Sequence, residues 1–154
     1  MHAATKCWAV GVLLCALLLG ASSGARAESK SPEDVVRTYL TALKGGDFAT
    51  AYDCLTSYMV RNQDKATWVR EQSAVMKLSG AKINSFQIFP AKLEGDKATV
   101  PNLLKSSDNI INQTGEDEYE LYTLTKNGDQ GWKIDRQQLV ETDAVSKWFP
   151  PSAH

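Results

Sequence analysis

The sequence predicts an α+β fold in which a run of helices is followed by antiparallel hairpins. Three observations carry this. Apolar residues recur at helical spacing between about residues 31 and 79, the period drops to two after Gly80, and turn chemistry separates the strand candidates at Glu94-Gly95-Asp96-Lys97 and Asn127-Gly128-Asp129-Gln130-Gly131.

Taken in order, the first element is a leader. Lys6 gives a positive start, Trp8 to Leu19 is an unbroken apolar run, and Gly20-Ala21-Ser22-Ser23-Gly24 loosens the chain ahead of Ala25-Arg26-Ala27. That order of charged, apolar and small-residue regions is a secretory signal peptide over residues 1–27, with cleavage after Ala27. The apolar run is shorter than the roughly 20 residues a spanning helix needs. Leu14 before Cys15 and Lys6 before Cys7 are the wrong neighbours for lipidation. The expectation is an exported chain, periplasmic or secreted, with no membrane attachment once the leader is gone. Residues 28–141 then form one α+β domain and residues 142–154 a C-terminal tail.

Ser31-Pro32-Glu33-Asp34 opens the first helix, with Ser31 as cap, Pro32 in the first turn and two acids at the positive end of the dipole. Val36, Tyr39, Leu40 and Leu43 make its apolar stripe, and Gly45 is its expected stop. Asp47 caps a short second helix carrying Phe48, Ala51, Tyr52 and Leu55 at the same spacing. Asp64 caps a third through Leu78, with Trp68, Val69, Gln72, Val75 and Met76 turned inward and Gly80 as the stop. Phe86, Ile88 and Pro90 then alternate, as do Ala98 and Val100, with Leu103 and Leu104 prolonging that strand. Glu118 to Lys126 and Trp132 to Asp135 complete the strand candidates. In the tail, Trp148-Phe149-Pro150-Pro151 is apolar enough to dock on the domain.

Composition removes several kinds of chemistry. The whole chain carries a formal net charge of −1, and the leader takes Lys6 and Arg26 with it, so nucleic acid is not an expected partner. Cys7 and Cys15 lie in the leader, which leaves Cys54 without an internal disulfide partner; it reads as a small buried apolar residue. The only histidines are His2 and His154, so nucleophile–histidine pairs and the usual zinc sites are not expected. The glycines have turn spacing rather than phosphate-loop spacing. No cofactor, no metal and no catalytic residue is assigned.

Several phrases in this order resemble the nuclear-transport-factor-2-like superfamily, and within it the exported bacterial domains of unknown function. They are Pro32, Val36 and Tyr39-Leu40-Thr41-Ala42-Leu43, then Gly46-Asp47-Phe48-Ala49-Thr50-Ala51-Tyr52. Ile83, Phe86, Gly95-Asp96-Lys97-Ala98-Thr99-Val100 and Gly131-Trp132-Lys133-Ile134-Asp135 follow. The resemblance covers about residues 32 to 136. It implies three N-terminal helices packed in a curved antiparallel sheet, a cone-shaped, cystatin-like roll with a pocket at its open end. Enzymes of that superfamily, ketosteroid isomerases and scytalone dehydratases among them, place acids, tyrosines or histidines inside the cone, and none of their catalytic residues carries over to a matching position.

Tyr39, Tyr52, Trp68 and Tyr122 are the candidate pocket residues, because an apolar body with a polar tip suits a small-ligand cavity, although core filling explains the same stripes. Glu118 and Glu120 share a strand face with Tyr122 and Leu124, which leaves one inward-pointing acid as the alternative; as acids near a strand end they read as solvated. The function expected is an exported module that binds a small apolar ligand or a partner protein, a second copy of itself being one option. The alternative is a carboxylate/tyrosine proton-transfer enzyme, an isomerase or dehydratase, which would need a buried Asp or Glu.

Overall fold

The computed structural model describes residues 30–151 apart from 127, 129 and 130. The leader expected at 1–27 and the last three residues of the tail lie outside the described residues. Among those described, no helix is long and apolar enough to cross a membrane.

Helix α1, Pro32–Gly45, starts where its cap chemistry places it, the Ser31 hydroxyl accepting the Asp34 N–H at 3.1 Å. It stops one residue later than expected. Gly46 rather than Gly45 takes the left-handed conformation, φ 73°, and returns its N–H to the carbonyls of Ala42 and Leu43. Helices α2, Phe48–Asp53, and α3, Lys65–Ser79, begin at Asp47 and Asp64, whose carboxylates accept the N–H groups of Thr50 and Thr67. α3 packs on α2 through buried Trp68. Val75, expected inward, is exposed, as is Leu78. The second half of α3 runs beyond α2 and so has no surface there to bury against.

Strands β1 (Lys82–Ile88), β2 (Lys92–Glu94), β3 (Lys97–Ser107), β4 (Asp117–Lys126) and β5 (Trp132–Leu139) form one antiparallel sheet. Its order is β1-β3-β4-β5, and β2 shares with β1 the same edge of β3. Pro101 sits inside β3, where a missing N–H ordinarily removes a ladder bond. Its carbonyl accepts the Phe89 N–H at 2.9 Å, so its nitrogen faces the same edge. There β1 has ended at Ile88 opposite Asn102 and β2 has yet to begin at Lys92 opposite Thr99. The proline occupies the one stretch where the ladder asks nothing of its nitrogen. Register shifts between Ile83 and Ser85, and in β4–β5 between Thr123 and Leu124, add local twist.

α1 contacts β1, β3 and β5 across one face, the inner face of the sheet. There Val36, Tyr39 and Leu40 pack with Ala98, Val100, Leu104, Tyr122, Leu124 and Ile134. Cys54 lies in this core, its thiol within 3.5 Å of the Thr50 carbonyl, and burial pushes the thiol pKa up. The expectation of three helices is incomplete. Thr142–Ala144 forms a 3-10 turn and Val145–Trp148 a short helix, α4, after the sheet. Together they fold the tail onto the outer face, where Val145 and Phe149 join Phe89 and Leu103 in a second core. The Phe149 ring meets Phe89 and Tyr119 edge-on at 5.3 and 4.9 Å.

Candidate functional site

Side chains on one strand alternate between faces, so the inner face of β3 carries Ala98, Val100, Asn102 and Leu104, and that of β4 carries Glu118, Glu120, Tyr122 and Leu124. Pairing sets Val100 against Tyr122, Asn102 against Glu120 and Leu104 against Glu118. One end of the inner face is therefore apolar, and the other becomes polar within a single row. Across β4, Leu139 stands opposite Glu120 and Gln137 opposite Tyr122.

Glu120 is not solvated, contrary to the expectation for a strand-end acid. It is only 1% exposed. The reason is position: β4 begins at Asp117, so Glu120 is already flanked by β3 on one side and β5 on the other. Three donors converge on its carboxylate. The Asn102 Nδ2 and the Tyr122 hydroxyl donate to Oε2 at 2.8 and 2.9 Å, and the Gln137 Nε2 donates to Oε1 at 2.7 Å. Burial pushes the Glu120 pKa up; the three hydrogen bonds pull against that, and the nearby Glu118 charge adds to the rise. The Tyr122 hydroxyl is raised by its own burial and then by the Glu120 charge, and Tyr39 shifts the same way for the same two reasons.

Asn102 is fully buried, and its Oδ1 has no hydrogen-bond partner. A carboxylate only accepts, so Glu120 holds the NH2 side of this amide and turns its carbonyl oxygen away. Glu118, half-buried, accepts from the Ser106 hydroxyl at 2.5 Å and the Asn112 Nδ2 at 2.8 Å, which ties the 108–116 loop to the sheet. Among the described residues, no lysine or arginine forms an ion pair with Glu118 or Glu120; the nearest such pair on these strands is Lys105 with Asp117 at 2.9 Å. Gln137 is exposed and Leu139 is 64% exposed, so the polar end meets solvent through β5. A cleft of about 320 Å3 opens beside it, between Glu118, Leu139 and Thr142.

The four aromatic candidates come together as two separate pairs. Tyr39 and Tyr122 meet edge-on at 6.1 Å on the inner face, next to Glu120. Tyr52 and Trp68 meet at 5.7 Å between α2 and α3, and the Tyr52 hydroxyl is spent on the Gln63 carbonyl at 2.8 Å. Sequence reasoning did not single out Asn102 or Gln137. A signal for Asn102 was present: it is the one polar residue in the alternating row Ala98, Val100, Asn102, Leu104. Gln137 had none, because the register shift at the β4–β5 pairing changes which β5 residues face inward. No metal-binding group of three His, Cys, Asp or Glu occurs among the described residues.

No protein-family model matches the chain, and no curated protein does. Solved structures match at the level of fold. A SEC-C motif containing protein from Rhodopseudomonas palustris is similar with a TM-score of 0.56 and 15% identity, over 72% of this chain and 80% of that one. A domain of unknown function with a cystatin-like fold from Nostoc punctiforme gives 0.53 and 11%, over 79% and 86%. An NTF2-like protein from Cytophaga hutchinsonii gives 0.51 and 13%, over 70% and 92%. The fold is thus the cystatin-like, NTF2-like arrangement of helices on an antiparallel sheet, and fold alone leaves function open.

Proposed function

We propose that this chain is an exported binding module that holds one small molecule at the polar end of its inner face and performs no chemistry on it. The observation that carries the reading is the Glu120 network. A buried carboxylate held by Asn102, Tyr122 and Gln137 is poor value for stability, since apolar packing of similar volume does as well or better. It stands where the inner face meets solvent, which is where a ligand would need it. Tyr39 and Tyr122 supply the aromatic wall; Tyr52 and Trp68 serve the helical layer.

Binding is favoured over proton transfer by the direction of the donors. Abstracting a proton beside a carbonyl requires donors aimed at the developing oxyanion. Here the three donors around the carboxylate are already committed to Glu120 itself. One observation supports the enzymatic reading: burial lifts the Glu120 pKa toward the range of a working base. Native mass spectrometry of the chain purified from Glu28 onward tests the first reading. The expected result is a retained small-molecule adduct that Glu120→Gln loses. An adduct-free mass with a dimer peak would replace the small ligand by a second copy of the chain. Deuterium incorporation into the retained ligand in D2O, absent in Glu120→Gln, would move the chain to the proton-transfer class.

A further inference from the structure

The hydrogen-bond inventory of the polar end says what kind of molecule it accepts. A carboxylate has about four acceptor positions, and Glu120 uses three, two on Oε2 and one on Oε1. The Asn102 Oδ1, fully buried, uses none. A buried acceptor without a donor costs free energy that a ligand donor would recover. Every side-chain donor around the carboxylate, Asn102 Nδ2, Tyr122 hydroxyl and Gln137 Nε2, points at Glu120, so what remains for an incoming group is acceptor lone pairs only.

Charge points the same way. Glu118 and Glu120 stand two residues apart on one face, and no cation among the described residues pairs with either. Apolar side chains frame them: Ile88 lies opposite Asn102, Phe86 opposite Leu104, and exposed Leu139 opposite Glu120. We propose that the site takes a small alkylammonium group, its N–H donors on Glu120 Oε1 and Asn102 Oδ1 and its alkyl body against Leu139 on the β5 side. Gln137 is the gate. It is the one exposed member of the network and already bonds Oε1, so an ammonium entering from β5 for the open position on that oxygen competes with its amide there. This assignment rests on the binding reading above and sharpens it to a ligand class.

The test is a titration of the purified chain with n-butylammonium chloride, 1-butanol and sodium butyrate at matched ionic strength. It is followed by NMR through the side-chain NH2 signals of Asn102 and Gln137. Butylammonium is expected to shift both signals saturably, with an apparent Kd at least tenfold below that of butanol, and butyrate to leave them unmoved. Glu120→Gln should weaken butylammonium at least tenfold. Gln137→Ala, which removes the one exposed donor and leaves the Asn102 and Tyr122 bonds to Oε2, should tighten it severalfold by removing the competing amide. Butanol or butyrate matching butylammonium would overturn the ligand class while leaving a working pocket. Weaker butylammonium binding to Gln137→Ala would overturn the gate. Silence from all three probes would overturn the ammonium assignment, and the native-mass adduct then decides separately whether the binding reading survives.

Discussion

The two ends of the inner face are built on the same strands with the same alternation, yet they solve different problems. At one end Ala98, Val100, Leu124 and Ile134 bury apolar surface under α1, and each lost contact there is lost stability. At the other, Asn102, Glu120 and Tyr122 bury polar groups whose hydrogen bonds mainly offset the cost of taking them out of water. The change from one to the other takes a single row, between the Val100–Tyr122 and Asn102–Glu120 pairs. Tyr122 belongs to both, ring toward the core and hydroxyl toward the carboxylate. The lesson is that burial alone does not mark a residue as structural; what the residue is satisfied by does.

That comparison can be broken by substitution. The largest effect is expected at the apolar end: Leu124→Ala should cost about 2–5 kcal/mol in urea unfolding, the usual range for a buried leucine. A cost under 1 kcal/mol would mean that end is not the stabilising one. At the polar end the cost should depend on how many partners change together. Asn102→Leu alone, which strips Glu120 of a donor, is expected to cost about 1–3 kcal/mol. The triple change Asn102→Leu, Glu120→Leu, Tyr122→Phe should be neutral or stabilising in the same assay. Additive losses in the triple variant would show that the network is there for stability, against the comparison.

The smallest effect is in pH dependence, and its sign is distinctive. Burial raises the folded Glu120 pKa above the ordinary value of 4.5, so the folded state keeps a proton that the unfolded state has lost. Its contribution to stability is therefore full below about pH 4.5 and lost as pH rises through the folded value. Asp47, Asp64, Glu94 and Asp108, lowered by their hydrogen bonds, act in the opposite sense and only at more acid pH. Urea midpoints at pH 5 and pH 8 separate the two. The wild-type chain should lose more stability than Glu120→Gln between them, and an equal or reversed change would remove the buried charge from the argument.

Much of the fold is legible in the sequence, because local chemistry writes it. Ser31, Asp47 and Asp64 each cap the helix they announce, and the alternation at Ala98 and Val100 marks the inner face of β3. The site was legible only in half. Alternation placed Glu120 and Tyr122 on one face, but whether that face is covered at residue 120 depends on β3 and β5 lying on either side, which is pairing over long sequence separation. The same limit explains Gln137, brought inward by a register shift, and Val75, left outside because α3 outruns its partner. The docking of Phe149 was readable as apolar surplus in the tail; its destination between Phe89 and Tyr119 was not.

The docked tail has a consequence for the order of events in the life of the chain. Synthesis proceeds from the N-terminus, and Val145 and Phe149 are made after every strand of the sheet. The inner core can assemble once β5 exists, since its members end at Ile134. The outer face cannot: Phe89 and Leu103 stay bare until residue 149 has emerged and swung back across the sheet. A molecule cut short before Val145 would thus keep α1, α2, α3, its sheet and its Glu120 network while presenting a sticky, unfinished back.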